Sequence, residues 1–243
     1  MMGDGAITAD RTFEAGGTNF LIDRGQGRAR ATSTTDRFVI GKSDKQLAYY
    51  RDLGKYRYRD ILEIGMVEGG SLVLWDKWFA PHTLVGVERR AEPIAPLEAY
   101  LADKPHIHTF YGRSLGEEGT LTAARRCFST GIDLVIHNAQ PYNETKRVFE
   151  TIFPLVRARG HYIIEDWGWA HHPTAQQAGH RWQDRPAMTN LLFELVVLAG
   201  SSAAIDSIHV DDGLIAIRRG PGKLPAGGLQ VDGLLRGRSL PAI

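Results

Sequence analysis

A glycine-rich turn follows the first regular apolar run of the chain. In LEIGMVEGGSLVLW the run ends at Gly65, and a helical segment begins after the Gly-Gly-Ser sequence at 69–71. Glycines permit sharp turns and close approach to a ligand, and the free N–H groups of a helix N-terminus attract polar atoms. The next run ends in Glu88, whose carboxylate is suited to accept both hydroxyls of a ribose. Together these features indicate a nucleoside site, and the spacing differs from the G-x-G-x-x-G fingerprint of NAD and FAD proteins.

Two adjacent carboxylates, Glu165 and Asp166, close the fifth apolar run. Neighbouring carboxylates repel each other unless a cation neutralises them, and their oxygens suit a hard divalent metal such as Mg or Mn. The pair therefore predicts a metal site. The alternative interpretation is that Asp166 caps the segment that follows while Glu165 pairs with an arginine.

Short apolar runs, each followed by a stretch long enough for a helix, must position these residues. They span 60–65, 83–88, 106–111, 132–137 and 160–165. Such alternation is typical of a parallel sheet covered on both faces. Two later runs, 205–210 and 214–219, flank an Asp-Asp-Gly hairpin signal. The sequence therefore predicts an α/β fold with a doubly wound, mostly parallel seven-stranded sheet that ends in an antiparallel C-terminal hairpin.

The segments around this core are less regular. Residues 1–38 show no sustained period of 2 or 3.6, so we expect an N-terminal arm or cap rather than a core element. Residues 39–220 form the predicted core domain, which opens with a helix capped by Ser43 or Asp44. The polar stretch 166–186 is too long for an ordinary connection and is a candidate lid, and residues 221–243 are an expected irregular tail.

Composition argues against several classes of partner and location. The 243 residues are 43% hydrophobic, which is enough for a buried core, and their formal net charge of +1 favours neither nucleic acid nor an acidic membrane. Cys127 is the only cysteine, so an internal disulfide and a thiolate zinc cage are excluded. No apolar stretch reaches the length of a signal peptide or a membrane span. We therefore expect a cytoplasmic protein with a small-molecule substrate.

The signature E-x-G-x-x-x-G-G-S at 63–71, the acidic end of the second run and YGRS at 111–114 resemble class I S-adenosylmethionine-dependent methyltransferases, which have a Rossmann-like fold. The stretch RARGHYIIEDW is similar to the macrocin O-methyltransferase and cephalosporin-hydroxylase-like group, which acts on natural products. The resemblance covers residues 42–220 and implies S-adenosylmethionine as the cofactor. It assigns the following residues to that cofactor, with Glu88 at the ribose hydroxyls and the last two near the adenine: Glu63, Gly65, Gly69, Ser71, Glu88, Gly112 and Ser114. The alternative for Ser114 is a helix cap.

The chain departs from the resembling group at the end of the fourth run. There the group has a metal-binding carboxylate and, three residues later, a histidine that serves as general base; the matching residues here are His137 and Gln140. Glutamine cannot take a proton near neutral pH. The implied metal site is then His137, Glu165 and Asp166, in which imidazole favours Fe, Mn, Co or Zn over Mg. The alternative for His137 is a neutral histidine bonded at the strand end.

Several other side chains are candidates for the missing base and for substrate contacts. Tyr142 lies two residues after Gln140, and His171 and His172 lie in the candidate lid. We take His137, Asp166 and Tyr142 as the candidate catalytic residues. The lid tryptophans are either an apolar wall for a ring-containing substrate or packing anchors: Trp167, Trp169 and Trp182.

Three functions follow from these patterns and the resemblance. The leading one is a metal-assisted O-methyltransferase acting on a small secondary metabolite, such as a sugar-bearing natural product or an antibiotic precursor. The second is a protein of the same fold that binds S-adenosylmethionine without methylating, and it is motivated by His137 and Gln140. The third is a metal-dependent hydroxylase built on the His–Glu–Asp trio. The resembling group also implies a homo-oligomer.

Overall fold

A computed structural model describes residues 5–25, 29–113, 117–139, 141–180, 183, 185–224, 229 and 231. The chain divides into two compact units, Met1–Ser129 and Thr130–Ile243. This division differs from the predicted boundaries at residues 38 and 220.

The first unit opens with a small three-stranded sheet in the order β1-β2-β3, formed by Thr12–Ala15, Thr18–Ile22 and Arg37–Ile40. Phe13 stacks on Phe20, with ring centroids 5.3 Å apart, and lies 6.1 Å from Trp78. Phe20 is fully buried. Described residues of the segment 1–38, Phe13 and Phe20 among them, are therefore buried in the core of the first unit, where an arm or cap was expected. Strands of four or five residues are too short to show a period, and their aromatic side chains find their partners only in the folded chain.

The rest of the first unit alternates strands and helices, as predicted. Its elements are β4 (Asp60–Ile64), β5 (Thr83–Val87), β6 (Ile107–Phe110), α1 (Asp44–Leu53), α2 (Gly70–Phe79), α3 (Ala95–Leu101) and α4 (Glu118–Arg126). Ser43 and Gln46 form a capping box at the start of α1. The strands β4, β5 and β6 pair in parallel, and Ile64 lies opposite Val87. The residues that follow β4 and β5 therefore lie side by side at the carboxyl edge.

The second unit contains the remaining strands. Its elements are β7 (Ile132–Asn138), α5 (Tyr142–Ile152), β8 (Val156–Glu165), α6 (Thr189–Ser201), β9 (Ile205–Val210) and β10 (Leu214–Arg219). The strands β7 and β8 pair in parallel, whereas β10 pairs antiparallel with both β8 and β9. The N-cap of α6 is Met188.

The other seven strands form one sheet in the order β6-β5-β4-β7-β8-β10-β9. This order and the antiparallel final pair confirm the predicted fold class. Within the described part of the chain, no helix is both long and apolar enough to cross a membrane.

The candidate lid contains two short 3-10 helices, Trp167–His171 and Pro173–Gln176. Trp182 lies outside the described residues, as does nearly all of the predicted tail after residue 224. Within that tail, the Val231 N–H donates to Glu150 Oε1 at 2.8 Å, and the Val231 side chain is buried.

Candidate functional site

The glycine turn links the carboxyl ends of β4 and β5. Gly65 has a φ of 81° and donates its N–H to the Val87 carbonyl oxygen at 2.8 Å. Val67 also has a positive φ, 54°, and its N–H donates to Glu88 Oε2 at 2.6 Å. The acidic residue after β5 therefore holds the loop after β4 in place.

The Glu88 carboxylate is already an acceptor for three backbone groups. Oε1 accepts from the N–H groups of Arg89 and Arg90 at 2.8 and 3.0 Å, and Oε2 accepts from Val67. A carboxylate offers about four lone-pair positions, so one position on Oε2 is left for a ligand hydroxyl. To accept both hydroxyls of a ribose, Glu88 would have to lose its hydrogen bond from one of these backbone N–H groups.

Packing within the protein accounts for the next two glycines. Gly69 is the N-cap of α2 with a φ of 81°, and a side chain there would overlap Leu97. A side chain at Gly70 would overlap the Val39 carbonyl oxygen of β3. These glycines are therefore needed for close packing of α2, whatever else they contact. Ser71 is buried in the first turn of α2.

Tyr111 is a residue of this site that the sequence interpretation did not assign, although it opens the quoted YGRS motif. Its hydroxyl is buried and has no hydrogen-bond partner among the residues that the structure describes. Burial raises the pKa of Tyr111 well above its ordinary value, and the nearby carboxylates of Glu88 and Glu63 raise it further, against an opposing effect of Arg90. Glu63 is itself only 1% exposed. The carboxyl edge of β4, β5 and β6 thus gathers two carboxylates and a phenol that keeps its proton.

Gly112 follows Tyr111 with a φ of 61° and donates to the Arg90 carbonyl oxygen at 2.6 Å. A Cβ on Gly112 would meet only Ala91, at 3.9 Å, so its φ requires glycine while packing does not. This arrangement is compatible with the predicted position of Gly112 near the adenine ring of the cofactor. Ser114 lies outside the described residues.

In the second unit, the acidic pair lies at the end of β8. Glu165 is 1% exposed, and Asp166 has a left-handed φ of 52°, with its N–H donating to the Gly213 carbonyl oxygen at 2.9 Å. Asp166 occupies the cap position of a 3-10 helix, yet its side chain makes no capping hydrogen bond. The alternative interpretation of Asp166 as a side-chain cap is therefore wrong.

The register of β7 and β8 separates His137 from Glu165. His137 lies opposite Ile164, whereas Asn138 lies opposite Glu165. Side chains alternate between the two faces of a strand, so His137 and Glu165 point to opposite faces and Asn138 shares the face of Glu165. Across the residues that the structure describes, no three His, Cys, Asp or Glu side chains are grouped to hold a metal ion. The predicted His137–Glu165–Asp166 trio is not brought together, and the hydroxylase hypothesis loses its basis.

His137 instead belongs to the packed interior of the second unit. It is fully buried, and its Nδ1 lies 2.8 Å from the Tyr162 hydroxyl. Burial raises the pKa of Tyr162, so the phenol keeps its proton and is the natural donor to a neutral imidazole. Phe149 of α5 packs edge-on against Tyr162 at 4.9 Å. This arrangement supports the alternative of a neutral histidine bonded at the strand end.

Tyr142 is held by contacts between α5 and α6. Its hydroxyl donates to Glu194 Oε1 at 2.7 Å, and the Lys146 ammonium donates to the same oxygen at 3.0 Å. Burial, followed by the hydrogen bond to Glu194, raises the pKa of Tyr142 to about 12. A phenol that keeps its proton at neutral pH is a poor general base. Gln140, the residue at the matching base position, lies outside the described residues.

The aromatic and histidine side chains of the candidate lid have mixed surroundings. Trp167 Nε1 donates to the Asp211 carbonyl oxygen at 2.7 Å, which anchors it to the β9–β10 turn. Trp169 is half-buried. His171 Nε2 lies 3.2 Å from Thr189 Oγ1, and both His171 and His172 are exposed.

No family model and no curated protein matches this chain. Solved structures do share its fold. The MycE methyltransferase of the mycinamycin biosynthetic pathway, in complex with Mg, S-adenosylhomocysteine (SAH) and mycinamycin VI, is 23% identical with a TM-score of 0.55 over 74% of this chain. The chain spans only 51% of MycE.

Two smaller enzymes match over most of their length. An O-methyltransferase from Bacillus cereus in complex with SAH is 19% identical, with a TM-score of 0.52 over 73% of this chain and 82% of that one. A SAH-bound methyltransferase from Podospora anserina is 18% identical, with a TM-score of 0.53 over 73% and 79%. At these identities the likeness shows architecture alone: the chain shares the Rossmann-like fold of these three proteins.

Proposed function

We propose that this protein is an S-adenosylmethionine-dependent O-methyltransferase that acts on a hydroxyl group of a small natural product. The observation that carries the proposal is the tie between the glycine turn and Glu88 at the adjacent carboxyl ends of β4 and β5. Ligands of open α/β sheets bind at this edge. The fold is the one in which SAH-bound methyltransferases are found.

The residues at this edge fit a nucleoside cofactor. Glu88 keeps one lone-pair position for a ribose hydroxyl, and the unpartnered Tyr111 hydroxyl supplies a buried donor. Among the described residues, a Cβ on Gly112 would contact only Ala91, at 3.9 Å, so the backbone at Gly112 can lie close to a flat ring. When bound, S-adenosylmethionine supplies an electrophilic methyl group. The protein's part is to orient the cofactor and exclude water, and alignment of reactants alone is worth about 7–11 kcal/mol.

Metal assistance belongs to this proposal in a modified form. The register places Asn138 opposite Glu165, without His137, and Asp166 follows Glu165 directly in the chain, which makes these three residues the proposed oxygen donors at the end of β7 and β8. An all-oxygen set favours Mg or Mn over Fe or Zn. These three residues are the candidate metal ligands.

Calorimetric titration with S-adenosylmethionine tests the cofactor site. We expect saturable binding to the wild-type protein and an affinity about 10- to 100-fold lower in Glu88→Gln, because a hydrogen bond to a charged group is worth about 1.5–3 kcal/mol. Glu92→Gln is the matched control, since Glu92 is exposed and lies four residues away. Absence of binding to the wild-type protein would overturn the proposal.

A second candidate function is binding of S-adenosylmethionine without methyl transfer. It is favoured by the surroundings of His137 and Tyr142, which give neither side chain the character of a general base. Incubation with hydroxylated acceptors separates the two functions. Formation of SAH that depends on the acceptor supports the transferase, whereas tight cofactor binding without SAH formation across a broad panel supports the second function.

Location and assembly complete the proposal. A cytoplasmic location and a homo-oligomer stay predictions from the sequence and from the resembling group. Light scattering of the purified chain tests the second of these, because a monomeric mass would contradict it.

A further inference from the structure

The first unit contains a cavity of about 460 Å³ away from the candidate cofactor site. Arg59 and His82 line it, and they directly precede β4 and β5. Gly65 and Glu88 follow the other ends of the same five-residue strands. At about 3.3 Å per residue, the cavity lies roughly 15 Å from the carboxyl edge. We call this cavity the amino-edge pocket.

Aromatic side chains form one part of the wall of the amino-edge pocket: Tyr56, Tyr58, Trp78 and Phe79. Tyr58 packs edge-on against Phe79 with ring centroids 5.5 Å apart, and it lies 6.0 Å from Tyr56. Tyr58 and Trp78 are buried, so their rings are fixed before any ligand binds. Preformed aromatic walls favour a flat, apolar ring because little side-chain freedom is lost on binding.

The remaining polar wall is cationic. Arg57, Arg59 and His82 line the pocket, and its lining includes no aspartate or glutamate. Arg59 Nη2 lies 2.9 Å from His82 Nδ1. Because arginine only donates, Nδ1 is the acceptor in this hydrogen bond. The exposed Arg57 completes a charge pattern that attracts an anion.

We propose that the amino-edge pocket is a second ligand site, for a small molecule that carries a phosphate or carboxylate group on an aromatic ring. The ring lies against Tyr58, Trp78 and Phe79, and the anionic group contacts Arg57 and Arg59. The volume is within the usual range of about 300–1,000 Å³ for small-molecule sites. The site does not depend on methyl transfer, and it lies at the opposite strand ends from the proposed cofactor.

Titration of the full chain with 1-naphthyl phosphate, 1-naphthol and inorganic phosphate tests the proposal. We expect saturable 1:1 binding of 1-naphthyl phosphate. Binding of 1-naphthol, which lacks the anionic group, and of inorganic phosphate, which lacks the aromatic ring, should be at least about tenfold weaker. The affinity should fall about tenfold or more in Arg57→Gln/Arg59→Gln. Arg126→Gln is the control for a single substitution and Arg125→Gln/Arg126→Gln for the double variant, since both arginines are exposed on α4 and these changes remove the same number of charges.

The outcomes are decisive in each direction. No saturable binding, equal binding of inorganic phosphate, or an equal loss in Arg125→Gln/Arg126→Gln would overturn the proposal. If a thermal melt shows that the double variant does not fold, the affinity of the single variant Arg57→Gln for 1-naphthyl phosphate is compared with that of Arg126→Gln instead. Repetition with saturating SAH separates the two sites: retained 1-naphthyl phosphate binding supports the amino-edge pocket, and competitive loss places the probe in the cofactor site.

Discussion

Val67 and Glu88, 21 positions apart in the chain, are joined by a hydrogen bond of 2.6 Å from the Val67 N–H to Glu88 Oε2. The loop after β4 and the end of β5 are therefore one structural unit. The same carboxylate stabilises the loop and offers its last lone-pair position to a ligand. Loss of Glu88 should consequently affect loop structure as well as cofactor affinity, and in Glu88→Gln the amide NH2 faces at least one backbone N–H that the carboxylate now accepts.

Tyr111→Phe separates ligand binding from stability. An unpartnered buried hydroxyl costs about 1–3 kcal/mol, so its removal should leave the free energy of unfolding unchanged or increase it. If the hydroxyl bonds the cofactor, affinity for S-adenosylmethionine falls about 3- to 10-fold in calorimetry.

Tyr100→Phe is the matched control for that variant. The Tyr100 hydroxyl donates to Asp76 Oδ2 at 2.5 Å, so its removal should lower stability and leave cofactor affinity unchanged. Unchanged cofactor affinity in Tyr111→Phe would remove Tyr111 from the site.

Tyr142 should contribute a pH-dependent part of the stability of the second unit. Its pKa is about 12 in the folded chain against an ordinary value of 10.0, so the folded state keeps a proton that the unfolded state loses first. The contribution is complete below pH 10 and is lost as the pH rises to about 12. The difference in the free energy of unfolding between wild type and Tyr142→Phe, measured in urea, should therefore shrink across this window. A constant difference would show that the proton is not retained.

The metal prediction depends on strand register. Asn138→Asp places a third carboxylate on the face of Glu165 and should tighten Mn²⁺ binding about fivefold or more, whereas Glu165→Gln should weaken it about tenfold. His137→Asn should leave Mn²⁺ affinity unchanged. Calorimetry of the three variants checks this, and loss of binding in His137→Asn alone would contradict the assignment from register.

Close packing of α2 on β3 predicts opposite effects of two glycine substitutions. Gly70→Ala should lower the free energy of unfolding by about 1–3 kcal/mol, because its Cβ overlaps the Val39 carbonyl oxygen and backbone cannot easily yield. Gly119 lies in α4 with open space around its Cβ position, so Gly119→Ala should raise stability by about 0.5–1 kcal/mol. Urea unfolding measures both, and equal effects would refute the packing explanation.

The sequence by itself determined the core alternation and one half of the candidate site. The apolar runs at 60–65, 83–88 and 132–137 correspond to strands of the structure. A strand that is buried on both faces is a continuous apolar run, which can be recognised without knowing the strands that pair with it. Glu88 was predicted for the same reason, since the end of a parallel strand fixes the edge on which a side chain lies.

Tertiary structure decided what depended on pairing between distant segments. The register of β7 and β8 put Asn138 rather than His137 on the face of Glu165, and a shift of one residue would have reversed that result. The pKa of Tyr142 was raised by burial and then by the hydrogen bond to Glu194, 52 positions away. The N-terminal sheet likewise required Trp78 as a partner for Phe13. Local sequence patterns encode burial and turns. Strand register and hydrogen-bond partners are determined only when folding brings distant segments of the chain together.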